Sequence, residues 1–395
     1  MHQPAMIAWL TILSLFCVRV IAECPDLPSL SEFNITSTLP DPFSWYPVSK
    51  ADRVATKADW ECRQQHISSL LQQLELGTKP PTPSDISASF SQNKLSITVS
   101  EGAKQIAFDV SIGYPSGGGD GPFPAMIAYG GLSLPLPSGV ATITFDNGAI
   151  AQQTDQSGRR KGLFYNLYGS DHSAGAMMAW AWGVSIILDA LESTPSAKID
   201  PAKVGVTGCS RNGKGALVAG AFDSRVALTV PQESGTGGSG CWRLCEAEDA
   251  GSGNVQTAGQ IVQENVWFST AFNSYVDQVD HLPFDHHMLA GLIAPRALLS
   301  IDNVGYEWLG PWSSLGCMST ARLVWDALGV SDHMGYSLST DHSHCSFPDE
   351  QKGDLDVYVR RFLLGEDVNT SVQKNYPGVE FDRKEWVKWD VPVLQ

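Results

Sequence analysis

The sequence predicts an α/β fold in which helices cover both faces of a mostly parallel sheet, and three observations predict it. From residue 174 onward, short apolar runs alternate with segments of helical spacing, the pattern of repeated strand–helix units. Ahead of them, residues 95–99 and 106–112 alternate apolar with polar and residues 124–129 form an apolar run, which reads as the opening strands of the same sheet. A chain of 395 residues, 43% hydrophobic and 17% charged, is long and apolar enough to bury one large core.

Taken in order, residues 6–18 are apolar but too short to span a bilayer, and Val20, Ile21 and Ala22 offer a cleavage site. Residues 1–22 therefore read as a secretory signal peptide, leaving a soluble, secreted protein of residues 23–395. After a Pro-rich entry, residues 58–76 carry Trp60, Ile67, Leu70, Leu71 and Leu74 at helical spacing and stop at Gly77, ahead of Pro80 and Pro81. Beyond the three opening strands come a helix at 174–191, a strand at 204–207, a helix at 211–222 and a strand at 227–230. A later strand at 297–301 and a helix at 314–328 complete the reading. The Gly-rich patches at 116–121 and 235–240 are too short to act as linkers, and no repeat or Ser/Thr/Pro-rich tether appears. One domain without a separate binding module is expected.

Lys and Arg number 26 against 42 Asp and Glu, a formal charge of −16 with a pI near 4.9. Such a surface repels phosphate backbones and anionic lipid, which argues against nucleic-acid and membrane partners. With Cys17 in the signal, seven cysteines remain, Cys24, Cys62, Cys209, Cys241, Cys245, Cys317 and Cys345. In an oxidising compartment that odd count allows three bridges and one leftover thiol. Asn34 and Asn369 each begin an Asn-x-Ser/Thr triplet and are candidate glycosylation sites.

The densest chemistry lies at Val204-Gly-Val-Thr-Gly-Cys-Ser-Arg-Asn-Gly-Lys-Gly-Ala216. A buried strand runs into Gly-Cys-Ser and an Ala/Gly-rich helix starts at once, the layout of a nucleophile elbow that lifts a serine oxygen clear of a sheet. The second glycine stands one residue later than in Gly-x-Ser-x-Gly, so a serine that merely caps the helix is the competing reading. Residues 340–348, Thr-Asp-His-Ser-His-Cys-Ser-Phe-Pro, lie late in the chain, where an α/β-hydrolase places its base. Cys209 precedes Ser210 and Cys345 follows His344, so a bridge between the two cysteines would pin the nucleophile's turn to the base's loop. His342 is the alternative base. For the acid, position leaves Asp302, at the end of the strand 297–301, and Glu233, just past the strand 227–230, with Asp302 at the more usual address.

These residues resemble the fungal glucuronoyl esterases, which cleave esters joining the 4-O-methyl-glucuronic acid of xylan to lignin. The resemblance rests on the segment around Ser210, Val-Pro-Gln-Glu-Ser-Gly around Glu233, Leu-Pro-Phe-Asp-His-His at 282–287 and His-Cys-Ser-Phe-Pro at 344–348. It covers nearly all of the chain after the signal. It implies an α/β-hydrolase fold, a three-layer αβα sandwich, with Ser210 as nucleophile, Glu233 as acid in place of Asp302, His344 as base and Arg211 at the oxyanion. It further implies Lys214, Gln256, Glu264 and Trp308 on the uronate sugar, with bridges Cys24–Cys62, Cys209–Cys345 and Cys241–Cys317. Cys245 has no place in that pattern.

A lignin–carbohydrate ester as substrate, no cofactor and a monomer are the accompanying expectations. Two rivals are a general secreted carboxylesterase or acetyl esterase, and an inactive carbohydrate-binding protein on the same fold. A catalytic metal at His281, Asp285, His286 and His287 is disfavoured, because adjacent histidines rarely face one ion and no further ligand follows at zinc spacing.

Overall fold

The structure, a computed structural model, describes residues 24–45, 53–117 and 119–395; the signal segment lies outside them. Ten strands form one sheet: β1 (Asp85–Ser91), β2 (Lys94–Glu101), β3 (Lys104–Gly113), β4 (Phe123–Tyr129), β5 (Ala141–Phe145), β6 (Ile199–Cys209), β7 (Val226–Gln232), β8 (Ala297–Asn303), β9 (Met334–Ser339) and β10 (Gln373–Lys374). Their spatial order is β1-β2-β3-β5-β4-β6-β7-β8-β9-β10. From β1 to β5 the neighbours are antiparallel, and from β5 to β10 every neighbouring pair is parallel.

Composition explains the division. Every residue of β8 and β9 is buried, as parallel strands covered on both faces require. Strand β2 alternates, with Leu95, Ile97 and Val99 inward and Ser96 and Thr98 half-exposed, so the antiparallel edge turns one face to solvent. Among the helices are α1 (Lys57–Leu71), α2 (Ala176–Ser193), α3 (Arg211–Phe222), α4 (Trp242–Ser252), α5 (Ala258–Glu264), α6 (His286–Gly291), α7 (Pro311–Leu328) and α8 (Asp349–Phe362). Thr56 and Asp59 close a capping box at the start of α1, and its last turn widens into a π segment, Gln72–Leu76, that ends at Gly77 with φ of 78°. A side chain at Gly77 would strike the Ser173 carbonyl, which fixes that stop.

Helices α2, α3 and α7 pack into the larger core, whereas the other face is covered by α8 through Leu355, Tyr358 and Val359, together with Leu134 from the chain after β4. The sheet is thus the middle of three unequal layers. Strands β4, β6, β7 and β8 lie side by side with their C-terminal ends at one edge, where the residues singled out by motif collect.

Candidate active site

The elbow is built by sterics. A side chain at Gly208 would meet the Asn212 carbonyl oxygen at 2.5 Å, and one at Gly213 would meet the Gln232 carbonyl oxygen at 2.7 Å. Both positions therefore need glycine, and the second stands at 213 because that is where α3 passes the end of β7. Asn212, at the position glycine holds in the commoner motif, is held instead by donating from Nδ2 to the Tyr129 carbonyl and accepting from Asn147. Ser210 sits at φ 60° and ψ −127°, a conformation L-residues adopt only when their surroundings impose it. Its side chain makes no capping hydrogen bond to α3, so the helix-cap reading fails and the hydroxyl is left half-exposed above the sheet.

The ring of His344 approaches from the loop after β9. Its Nδ1 lies 2.8 Å from Glu233 Oε2. The carboxylate oxygen can only accept, so Nδ1 carries the proton and Nε2 presents a lone pair. Nε2 is buried and takes no hydrogen bond from the described residues. The His344 backbone N–H donates to the Tyr306 hydroxyl, and the ring makes edge contacts with Tyr306 and Trp308 at 5.6 and 5.0 Å between centroids. Glu233 itself is fully buried at φ 45° just beyond β7, and its Oε2 also accepts from the Cys345 N–H at 3.1 Å.

The alternatives left open by position are separated here. Asp302 is buried and accepts from Ser239 Oγ at 2.8 Å and Ser300 Oγ at 2.6 Å, and reaches no imidazole. Burial, opposed by those two hydroxyls, pushes its carboxyl up to about 6. His342 is engaged elsewhere, with Nε2 3.0 Å from Ser339 Oγ and Nδ1 3.3 Å from Asn303 Nδ2, and that Nδ1 stands 3.9 Å from Glu233 Oε1 where His344 Nδ1 reaches Oε2 at 2.8 Å.

Cys209 and Cys345 are bonded, as are Cys24 with Cys62 and Cys241 with Cys317. Cys245 is a buried free thiol, which burial pushes up to about 12. The Cys209–Cys345 sulfurs lie within 4.8 Å of each other and of a His344 ring nitrogen, so the bridge sits directly against that imidazole. It spans 136 residues, and the Cys241–Cys317 link of 76 lies inside that span. Even so shortened, such a loop is worth about 4 kcal/mol of chain entropy. We expect Cys345→Ser to lower the melting temperature and also kcat, since the base loop loses its tether; an unchanged kcat in the still-folded variant would limit the bridge to stability.

The residues expected on the sugar fall into two groups. Gln256, Glu264 and Trp308 are brought together on the rim beside His344: Gln256 donates from its backbone to the Trp308 carbonyl at 3.2 Å and from Nε2 to Glu264 at 2.9 Å. Trp308 is 39% exposed, an uncovered indole at the mouth of the site. Lys214 is buried, with Nζ donating to the Ser234 carbonyl and lying 5.5 Å from the Trp267 ring centroid, and burial brings its ammonium down to about 7. Arg211 is exposed, over the same Trp267 ring and 3.3 Å from Gln153 Oε1. Gln153 also accepts from the Trp267 indole. Neither Gln153 nor Trp267 carries a sequence signal, because each meets the site only through contacts more than fifty residues distant.

The His-rich segment is structural. Both His286 nitrogens face acceptors, Glu75 Oε1 at 2.8 Å and the Gly238 carbonyl at 2.9 Å, so the ring is an imidazolium; burial lowers its pKa but Glu75 and that carbonyl raise it further. His287 donates to the Pro40 carbonyl, and burial drops it to about 4. Asp285 caps α6 and pairs with Arg243, and His281 is exposed. Asn34 and Asn369 are both exposed; Thr370, in the second triplet, is buried and donates to the Asp332 carbonyl.

A strained serine at a strand–helix elbow, an imidazole held in one tautomer by a buried carboxylate, and a sheet of this order define the class, a serine hydrolase on the α/β-hydrolase fold. A family model described as glucuronyl esterase of fungi matches residues 97–329. Among curated relatives named 4-O-methyl-glucuronoyl methylesterase, one from Podospora anserina is 55% identical over 378 residues, 94% of this chain and 78% of the relative. Another, from Schizophyllum commune, is 49% identical over 391 residues, 98% of each. The solved glucuronoyl esterase catalytic domain from Hypocrea jecorina is 53% identical with a TM-score of 0.89, covering 92% of this chain and 98% of that one. A serine-to-alanine mutant of the Sporotrichum thermophile glucuronoyl esterase, in complex with methyl 4-O-methyl-beta-D-glucopyranuronate, is 45% identical with a TM-score of 0.88 over the same shares. The chain belongs to the fungal glucuronyl esterase family.

Proposed function

We propose that the chain is a secreted serine esterase that hydrolyses esters between 4-O-methyl-D-glucuronic acid of glucuronoxylan and lignin alcohols. The observation that carries the reading is the cluster of Gln256, Glu264 and Trp308 beside His344. It offers an amide, a carboxylate and an uncovered indole face to a sugar on the acyl side of the ester, where hydroxyls can pair and a pyranose can lie flat.

Ser210 Oγ attacks the uronate carbonyl carbon while His344 Nε2 takes its proton, and Glu233 steadies the imidazolium through Nδ1. The Arg211 N–H, first in α3, and its guanidinium stabilise the oxyanion. Collapse breaks the bond to the alcohol, which leaves with the proton from His344. Water, deprotonated by His344, then attacks the acyl-enzyme and frees the uronate and Ser210. Each proton is held by a protein group, and the sequence calls on no metal or cofactor. The three bridges suit an oxidising medium, and no helix among the described residues is long and apolar enough to cross a membrane. A monomer that meets neither nucleic acid nor membrane fits the acidic surface.

Kinetics on benzyl glucuronate, benzyl galacturonate and 4-nitrophenyl acetate test the substrate. Glucuronate is expected to lead acetate in kcat/KM by several orders of magnitude, because a site built to pair with hydroxyls loses most when they are missing. Acetate turnover equal to glucuronate would reduce the protein to a general secreted esterase.

A further inference from the structure

Gln232, the last residue of β7, is fully buried, and its amide meets three separate segments of the site. Its Oε1 accepts from Ser133 Oγ at 2.6 Å, and its Nε2 donates to Glu233 Oε1 at 3.2 Å and to the Ser346 carbonyl at 3.4 Å. The partners dictate which way the amide faces. A carboxylate and a carbonyl can only accept, so both must meet the NH2 group, which leaves the oxygen for the one partner able to donate, the Ser133 hydroxyl. Its backbone is engaged too: the Ser210 N–H donates to the Gln232 carbonyl at 2.9 Å.

Sheet order gives those bonds their meaning. Strand β6, which ends at the nucleophile, lies between β4 and β7. The segment after β4 must therefore cross the end of β6 for Ser133 to reach Gln232, and Leu134 then anchors it in the smaller core. One side chain ties that crossing, the acid and the base's loop together around the strand end that carries Ser210.

We propose that Gln232 is a positioning residue of the hydrolytic reaction: its amide holds the Glu233 carboxylate by Oε1 so that Oε2 faces His344, and Ser133 holds the amide in the orientation that does so. The proposal rests on Ser210, His344 and Glu233 acting as described above. Gln232 touches none of the groups placed on the sugar, so its removal acts on turnover rather than on substrate binding. Losing the Gln232 N–H removes a hydrogen bond from the Glu233–His344 pair, beside which His342 Nδ1 also stands at 3.9 Å from Oε1, so the effect is read in kcat and in the pH profile of turnover.

The test uses the purified protein with benzyl glucuronate. Gln232→Met, close in volume and unable to hydrogen-bond in the same way, is expected to lower kcat by about ten- to a hundredfold, the scale of a small misplacement of catalytic groups. KM stays within about twofold on the same argument, and the acid limb of kcat/KM shifts. Ser133→Ala, at a half-buried loop position, is expected to shift the acid limb the same way by less, and to add nothing on the Gln232→Met background, as partners acting through one bond do. An unmoved acid limb with kcat per folded molecule unchanged overturns the proposal, as does an effect confined to KM. Should Gln232→Met not fold, Ser133→Ala decides by the same limb. Glu233→Gln run in parallel keeps the two readings apart: full activity there removes the acid assignment itself, whereas a dead Glu233→Gln beside a normal Gln232→Met removes only the role given to Gln232.

Discussion

Ser210→Ala abolishes hydrolysis of glucuronate esters, with a loss in kcat of about six orders of magnitude, the scale seen when the nucleophile of a triad that acts as a unit is removed. The fold is expected to survive. Ser210 makes no side-chain cap to α3, so deleting its oxygen breaks no bond that holds the elbow, and Ala tolerates the φ of 60° about as poorly as Ser does. Gln256, Glu264 and Trp308 sit on other segments, so methyl glucuronate should still bind within a few-fold of the wild-type affinity by calorimetry. A variant that unfolds, or one that keeps more than about a hundredth of its activity where a triad member's loss predicts far less, would move the nucleophile elsewhere.

How much of this was legible in the sequence depends on whether the cause was local. The elbow was, because the close approaches at Gly208 and Gly213 leave glycine as the only residue that fits, and the adjacent Cys–Ser and His–Cys pairs mark one bridge. The helix 211–222 matches α3 end to end for the same reason. Strand β1 was missed although its Asp-Ile-Ser-Ala-Ser-Phe-Ser run alternates: Ile86, Ala88 and Phe90 share one face, half-buried at the sheet edge against the larger core, a stripe of three residues with an alanine at its centre. Strand β9 was missed for a different cause. Its Ser337 and Ser339 look like a solvent face but are buried, satisfied by Asp354 and by His342. Helix α8 was passed over although it was legible: Leu355, Tyr358, Val359 and Phe362 stand at helical spacing among its charged residues. Which carboxylate meets the imidazole was undecidable by position because Asp302 and Glu233 close adjacent strands. Side-chain direction separates them, and direction follows from the left-handed turn at Glu233, which no pattern of residue types announces.

That difference sets the second large effect. Glu233→Gln is expected to lower kcat by about four orders of magnitude, as in a serine protease whose aspartate becomes an amide and whose imidazole is left in the wrong tautomer. The mechanism is the same here: Nδ1 of His344 donates to Glu233 Oε2, and an amide nitrogen turned toward the ring would force Nδ1 to accept and place the proton on Nε2, where the lone pair is needed. Asp302→Asn neutralises a carboxyl of the neighbouring strand with the same economy of shape, yet kcat should fall less than about tenfold, because Ser239 and Ser300, not an imidazole, are its partners. Its effect belongs to stability. Burial raises the Asp302 carboxyl from 3.8 to about 6, so the folded state holds that proton longer than the unfolded chain does, and the wild type loses stability as pH climbs from about 4 through 6. The asparagine variant escapes that loss, and its melting temperature relative to wild type should rise across the same window. Paired pH series of kcat and melting temperature on the two variants read both effects at once. A severe kcat loss in Asp302→Asn with Glu233→Gln near normal would return the acid to the end of β8.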